Sequence, residues 1–153
     1  MEDKILTFES SQISKIFWNM HTLFVRLEHQ YARTLPEELK LTVNEIHIIE
    51  AIGAKDGQTM SEIANALHVT MPTLTVSVNR LVGKGFVNRV RMEDDRRKIA
   101  VALTEKGEKI KGLHSCFHEE LSESFLQNVD RANDPITLEF LKSAFDFLTS
   151  KLN

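Results

Sequence analysis

The spacing of apolar residues changes abruptly in the middle of the chain, and this change limits the fold more than any other feature. Leu74, Val78 and Leu81 follow a four-and-three spacing that predicts one face of a helix. Residues 86–92 and 98–103 then favour two short strands, the second with alternating apolar positions, joined by a polar stretch. The sequence therefore predicts a helix followed directly by a β-hairpin.

The segment before this helix predicts two further helices. Residues 42–54 form a helix with isoleucines at inward positions, and a shorter helix begins at Thr59 or Ser61, with Glu62 as a capping-box partner of Thr59. A tight turn at His68 and Val69 follows, and Thr70 is the expected cap of the next helix. We therefore predict a mainly α fold with a small β-hairpin wing, a winged helix-turn-helix, over residues 42–103.

Long amphipathic helices are predicted at both ends of the chain, within residues 8–35 and 104–153. Near the C-terminus, Leu138, Leu141 and Phe145 begin a narrow four-and-three stripe that suits pairing with another helix. The spacing alone leaves two alternatives open, since these stripes can complete the core of one chain or pack against a second copy. The length of 153 residues favours a single domain, residues 1–153.

Charge is distributed unevenly along the chain. The net charge is −3, yet residues 74–112 carry ten basic and five acidic side chains, a net +5, which leaves −8 for the remainder. A basic helix and hairpin on an acidic body suits the phosphates of double-stranded DNA, with the second helix of the pair in the major groove. No apolar run reaches the length of a membrane span, no signal peptide begins the chain, and the lone Cys116 cannot form an internal disulfide, so we expect a cytoplasmic protein without a membrane partner.

The expected DNA contacts lie on the outward face of the second helix and in the hairpin. Small hydroxyls near the helix start allow close approach to bases and phosphates, and Arg80 is the expected specificity residue. The complete set is Thr70, Thr73, Thr75, Ser77, Asn79, Arg80, Lys84, Arg89, Arg91, Arg96, Arg97 and Lys98.

The segment ALHVTMPTLTVSVNRLVGKGFVNRVRMEDDRRKIAVALTEKG resembles the MarR family of bacterial regulators, with D-R-R in the wing and L-T-x-x-G opening the next helix. The resemblance implies a homodimer that binds a pseudo-palindromic operator and represses transcription. Within the family the chain is most similar to fatty-acid-biosynthesis repressors of the FabT type, through segments such as EIHIIEAIG and LHSCFH. That similarity implies long-chain acyl carrier protein as corepressor, with Phe17, Phe24 and Phe117 as candidate lining residues of an acyl tunnel.

Histidines suggest an alternative effector. His114 and His118 are four apart on a predicted helix, a spacing that can hold zinc. The zinc-responsive branch of the MarR family uses such a pair with two further ligands, which here implies His29 and His47. We expect that the protein requires no cofactor. Cys116 lies between the two histidines in sequence, and we expect it to be a small buried side chain.

Catalysis has no candidate residues in this sequence. The chain contains no phosphate-binding loop, G-x-S-x-G or H-E-x-x-H motif, so we do not expect an enzyme. An alternative of another class is a winged helix that binds proteins without DNA, against which the +5 charge of the module argues.

Overall fold

The computed structural model describes residues 9–53, 58–91, 99–130 and 132–151. The chain divides into two compact units, Met1–Lys111 and Gly112–Asn153. In chain order the elements are α1 Ser10–Thr34, a 3-10 helix Glu37–Leu39, α2 Val43–Ala51, β1 Gln58–Thr59, α3 Met60–Ala66, α4 Met71–Gly83, β2 Val87–Arg91, β3 Ile99–Leu103, α5 Glu105–Asn128 and α6 Pro135–Ser150.

Threonine caps begin three consecutive helices of the first unit. Thr42 accepts a hydrogen bond from the amide of Glu45 at α2, and Thr59 accepts one from the amide of Glu62 at α3, while each glutamate accepts one from the threonine amide in return. Thr70 caps α4. These contacts satisfy amides that a helix start leaves without partners, so the predicted caps at Thr59 and Thr70 are confirmed.

The turn between α3 and α4 depends on a left-handed residue. His68 has a φ of 51°, in the region that few side chains adopt, and it lies where the sequence predicted a tight turn. The amide of Val69 donates to the carbonyl of Ala64 at 3.0 Å across this turn. This short turn connects α3 directly to α4, as in a helix-turn-helix.

The core of the first unit joins α2, α3, α4 and the sheet. Its largest side chains are fully buried, and the inward faces predicted for α2 and α4 are confirmed. The buried residues that form this centre are Ile46, Ile49, Ile52, Ile63, Leu74, Val78, Leu81, Phe86, Val87 and Val101. Burial of these apolar surfaces is the main stabilising contribution to the module.

The sheet has three strands in the order β1-β3-β2, all antiparallel. The sequence predicted the two hairpin strands but not β1, which has only two residues and no measurable alternation. Because β3 pairs with both β1 and β2, neither edge of this central strand is left unpaired. Its residues Ala100, Val101 and Ala102 are all buried. The fold class is thus a mainly helical winged helix-turn-helix, as predicted.

Residues of the L-T-x-x-G segment connect the wing to α5. The Thr104 hydroxyl donates to the carbonyl of Gly85 at 2.8 Å and accepts from the amide of Gly107 at 3.2 Å. A methyl group at Gly107 would collide with the backbone carbonyl oxygen of Phe86. The motif therefore requires glycine because the backbone of the wing passes directly over this position.

The apolar stripe of α1 is exposed along most of its length. Phe17 is 48% exposed, Trp18 70% and Leu23 56%, and only Glu28 and Ala32 of this helix are buried. Within the second unit, α6 has no buried residue among those described, and Phe145 is 68% exposed. Whether a second copy covers these stripes or they complete the core of one chain stays a prediction. None of the helices described has the length and apolar character that a membrane crossing requires.

Candidate nucleic-acid interface

The face of α4 opposite the core is exposed, mostly polar and free of carboxylates. Thr73, Asn79 and Arg80 are exposed on this face, as the helical spacing predicted. Val76 lies between them and is 53% exposed, although sequence analysis did not select it. Val76 lies three residues from Thr73 and four from Arg80, and this helical spacing could have identified it. Sequence analysis omitted it because an apolar side chain was not expected to contact nucleic acid.

Arg80 is the cation of α4 that remains available to DNA. Its side chain is exposed, and within residues 9–53, 58–91, 99–130 and 132–151 no hydrogen bond or ion pair engages its guanidinium. A free guanidinium on a helix that enters the major groove can donate two parallel hydrogen bonds to a guanine edge.

The hydroxyls of the predicted set differ in their surroundings. The Thr70 and Thr73 hydroxyls are hydrogen-bonded to each other at 2.9 Å at the exposed start of α4. The Thr75 hydroxyl donates to the carbonyl of Met71 at 2.7 Å and is half-buried, so its hydrogen is used within the helix. Ser77 is half-buried and lines a pocket of about 220 Å³ between α2 and α4.

Lys84 is bound to a carboxylate of the same unit. Its ammonium lies 2.7 Å and 2.9 Å from the two carboxylate oxygens of Glu45, whose own carboxylate also caps α2. Burial alone would raise the pKa of Glu45, but hydrogen bonds from Lys84 and Thr42 and the nearby ammonium charge hold that pKa below its ordinary value of 4.5. The structure thus places the Lys84 charge in an internal ion pair, which reduces what it offers to a phosphate.

A side-chain hydrogen bond links α4 to the wing. The guanidinium of Arg89, on β2, donates to the Oδ1 atom of Asn79 at 2.5 Å, and both residues are exposed. Arg91 is also exposed on β2. The remaining predicted wing cations, Arg96, Arg97 and Lys98, lie outside the described residues.

The histidines of the proposed metal set make contacts within each unit. In the first unit, Nε2 of His47 lies 2.9 Å from the buried carboxylate of Glu28, whereas His29 is exposed. In the second unit, the Nε2 atoms of His114 and His118 are 3.1 Å apart. Glu28, adjacent in sequence to His29, is therefore the residue that the structure places beside His47.

The other effector candidates are placed as follows. Phe17 and Phe24 of α1 are 48% and 41% exposed, and Phe117 of α5 is half-buried, with its ring 6.2 Å from that of His114.

The expectation that Cys116 is buried is wrong, since its side chain is exposed. It lies two positions from each histidine, so it points to a different side of α5 from theirs.

These features define a winged helix-turn-helix protein with a polar, cationic contact helix. A family model for the transcriptional regulator SarA/Rot matches residues 30–112, more than half of the chain. The chain therefore belongs to this family of MarR-like winged-helix regulators, and the resemblance inferred from the sequence is confirmed.

Known proteins similar to this chain are DNA-binding regulators. The HTH-type transcriptional regulator BilQ of Clostridium symbiosum is 33% identical over 105 residues, which cover 68% of each chain. The structure of FabT from Streptococcus pneumoniae in complex with DNA has a TM-score of 0.84 and 28% identity, covering 93% of this chain and 99% of the other. A MarR mutant from E. coli bound to operator DNA has a TM-score of 0.66 and 25% identity, covering 87% and 92%. The chain is a DNA-binding transcriptional regulator of the MarR and SarA type.

Proposed function

We propose that the protein is a homodimeric repressor of fatty-acid-biosynthesis genes, with long-chain acyl carrier protein as its corepressor. In this proposal each subunit places α4 in one half-site of a pseudo-palindromic operator, and the protein acts in the cytoplasm without catalysis. The observation that carries the DNA-binding part is the exposed face of α4 around Arg80, on a fold similar to that of DNA-bound FabT.

Exposed apolar helices support the homodimer. Along α1 and α6 large apolar side chains are open to solvent, a state that is unfavourable for surfaces of this size in a lone chain. A second copy would cover them, and the two-fold symmetry would present two α4 helices to major grooves about 34 Å apart. We expect the purified protein to sediment as a dimer, and a monomer that still binds operator would contradict this arrangement.

Support for the acyl corepressor comes from the similarity to FabT-type regulators and from the aromatic side chains of α1. Phe17 and Phe24 follow a seven-residue spacing on one exposed face, which suits contact with an aliphatic chain. Binding of a corepressor near the dimer helices would change operator affinity by shifting the separation of the two α4 helices.

The test measures binding of the protein to a fatty-acid-gene promoter fragment by fluorescence anisotropy. Long-chain acyl carrier protein should increase the affinity, whereas the carrier protein without an acyl chain should not. Arg80→Ala serves as the control for operator-specific binding. Equal affinity with and without the acyl partner would overturn the corepressor, and no binding to any promoter duplex would overturn the repressor.

A zinc-responsive repressor is the second candidate. In the first unit the buried Glu28 carboxylate contacts His47, and in the second unit His114 and His118 lie close together, so each unit offers donors of the kind that zinc prefers. The same assay distinguishes the candidates, because operator binding that requires zinc and is abolished by a chelator, without an acyl response, would favour this one. Replacement of His118 by alanine should then remove the zinc effect.

A further inference from the structure

Packing of the core does not explain why α4 has an exposed valine, Val76. Val76 lies near the middle of this helix with 53% of its surface open to solvent, whereas Leu74 and Val78 on the other side are 1% and 0% exposed. Valine also has no helix propensity that would favour it at a surface position. The side chain must therefore contribute little to stability.

Its neighbours show what the surface around it can bind. Thr73, Asn79 and Arg80 are exposed at helical spacings of three, three and four residues from Val76, so the four side chains share one face. The sequence of α4, MPTLTVSVNRLVG, contains no acidic residue. A surface of hydroxyl, amide and guanidinium groups without a carboxylate is suited to a polyanion.

Within this polar surface Val76 has one exposed apolar neighbour, Pro72, which lies four residues before it in the first turn of α4. Met71 is also exposed, but it is five positions from Val76, which turns it well away from that face. A protein-binding surface requires a larger continuous apolar patch. A small apolar surface among hydrogen-bonding groups matches instead the edge of a base pair, because thymine presents a methyl group beside a hydrogen-bond acceptor in the major groove.

We infer that Val76 contacts the 5-methyl group of a thymine in the operator and is a specificity-determining residue. This inference rests on the DNA-binding function and adds to it the base that one residue recognises. The γ-methyl groups of valine are held by a stiff χ1 torsion in a helix, so little side-chain entropy is lost when they meet the thymine methyl. The amide of Asn79 and the guanidinium of Arg80 cannot make this distinction, since a methyl group offers them no hydrogen bond, and Thr73 presents only one methyl group beside its hydroxyl.

Uracil provides a probe that removes only the atoms in question. The wild-type protein first selects its preferred duplex from a random pool, and each thymine of that duplex is then replaced singly by deoxyuridine. Base pairing is retained and only one methyl group is lost. We expect the wild-type protein to bind about fourfold more weakly at one thymine position in each half-site, as expected for loss of one buried methyl contact.

Variants of Val76 connect that loss to this side chain. Val76→Ser should bind the thymine and uracil duplexes equally at that position, whereas Val76→Ile should keep the difference. Serine and valine have similar helix propensities, so α4 should remain folded, which thermal denaturation checks. Val69→Ser makes the same chemical change at an exposed valine before the cap of α4 and should leave the thymine preference unchanged.

The outcomes separate the residue from the function. A thymine preference that is the same in Val76→Ser as in the wild type, or no preference at any thymine, would overturn the role of Val76 while operator binding remains. Failure of the wild type to select any duplex would overturn DNA binding itself, and with it the role of Val76.

Discussion

The ammonium of Lys84 lies 2.7 Å from Oε1 of Glu45, a residue that is 7% exposed. Lys84 is the C-cap of α4, and Glu45 forms the capping box of α2 with Thr42. One carboxylate therefore connects the start of α2 with the end of α4. This connection fixes the C-terminal end of α4 against the core.

Lys84→Met should lower the free energy of unfolding by about 1–2 kcal/mol, because the buried Glu45 carboxylate loses a charged hydrogen-bond donor. Urea denaturation measures this change. Lys40→Met is the matched control, since the pair of Lys40 with Glu37 is exposed and should contribute less than about 0.5 kcal/mol. The salt dependence of DNA binding should be unchanged in Lys84→Met, and a slope reduced by about one would instead identify Lys84 as a phosphate contact.

The same carboxylate predicts a pH dependence of stability. The pKa of Glu45 in the folded state is below its ordinary value of 4.5, so the unfolded chain takes up a proton first as the pH falls. The stabilisation from the ionised carboxylate is complete above that ordinary value and is lost as the pH decreases through the folded-state pKa. Glu45→Gln should therefore show a weaker loss of stability over this acidic range, measured by thermal denaturation between neutral pH and pH about 3. Parallel pH profiles for the two proteins would contradict this prediction.

Much of the fold could be predicted because its signals are local. The threonine caps at Thr59 and Thr70 and the inward positions of α4 depend on residues within four positions of one another. The strand Gln58–Thr59 could not be predicted, since two residues carry no periodicity and their pairing with β3 is set by the tertiary fold.

The site was less predictable because its contacts are distant in sequence. Lys84 is 39 positions from Glu45, and no pattern along the chain indicates that they meet. Glu28 rather than its neighbour His29 lies against His47, which depends on the rotation of α1 about its axis. Exposure of Cys116 likewise depends on which side of α5 is covered, and helical spacing alone does not decide this.

Gly107→Ala should destabilise the protein by about 1–3 kcal/mol, because the added methyl group would displace the Phe86 backbone at the base of the wing. Gly112→Ala is a matched control further along α5. There no atom of the described residues beyond the helix's own backbone lies within 4 Å of the added methyl group, so this change should be neutral or stabilising by up to about 1 kcal/mol. Thermal denaturation of both variants gives the comparison. Similar effects from the two substitutions would show that the wing backbone adapts without cost.

Arg80→Ala should reduce discrimination between operator and unrelated DNA by about 1–3 kcal/mol, since the free guanidinium of α4 is lost from the major groove. Arg80→Lys keeps the charge but not the planar fork of donors, so it should retain non-specific affinity and lose most of the discrimination. Competition binding with operator and random duplexes measures both quantities. Equal weakening for every sequence would mean that Arg80 contacts phosphate alone.

The contact between Arg89 and Asn79 predicts that these residues act together on DNA. Because Asn79 holds the guanidinium of Arg89 against α4, Asn79→Ala should weaken operator binding several-fold in the presence of Arg89 and have little effect when Arg89 is already alanine. Anisotropy titrations of the two single variants and the double variant give the coupling free energy, which we expect to be about 1 kcal/mol. Arg91, exposed on the same strand, provides the control: Arg91→Ala and Asn79→Ala should be additive. Additive effects for Arg89 and Asn79 as well would show that the hydrogen bond does not orient the arginine for DNA.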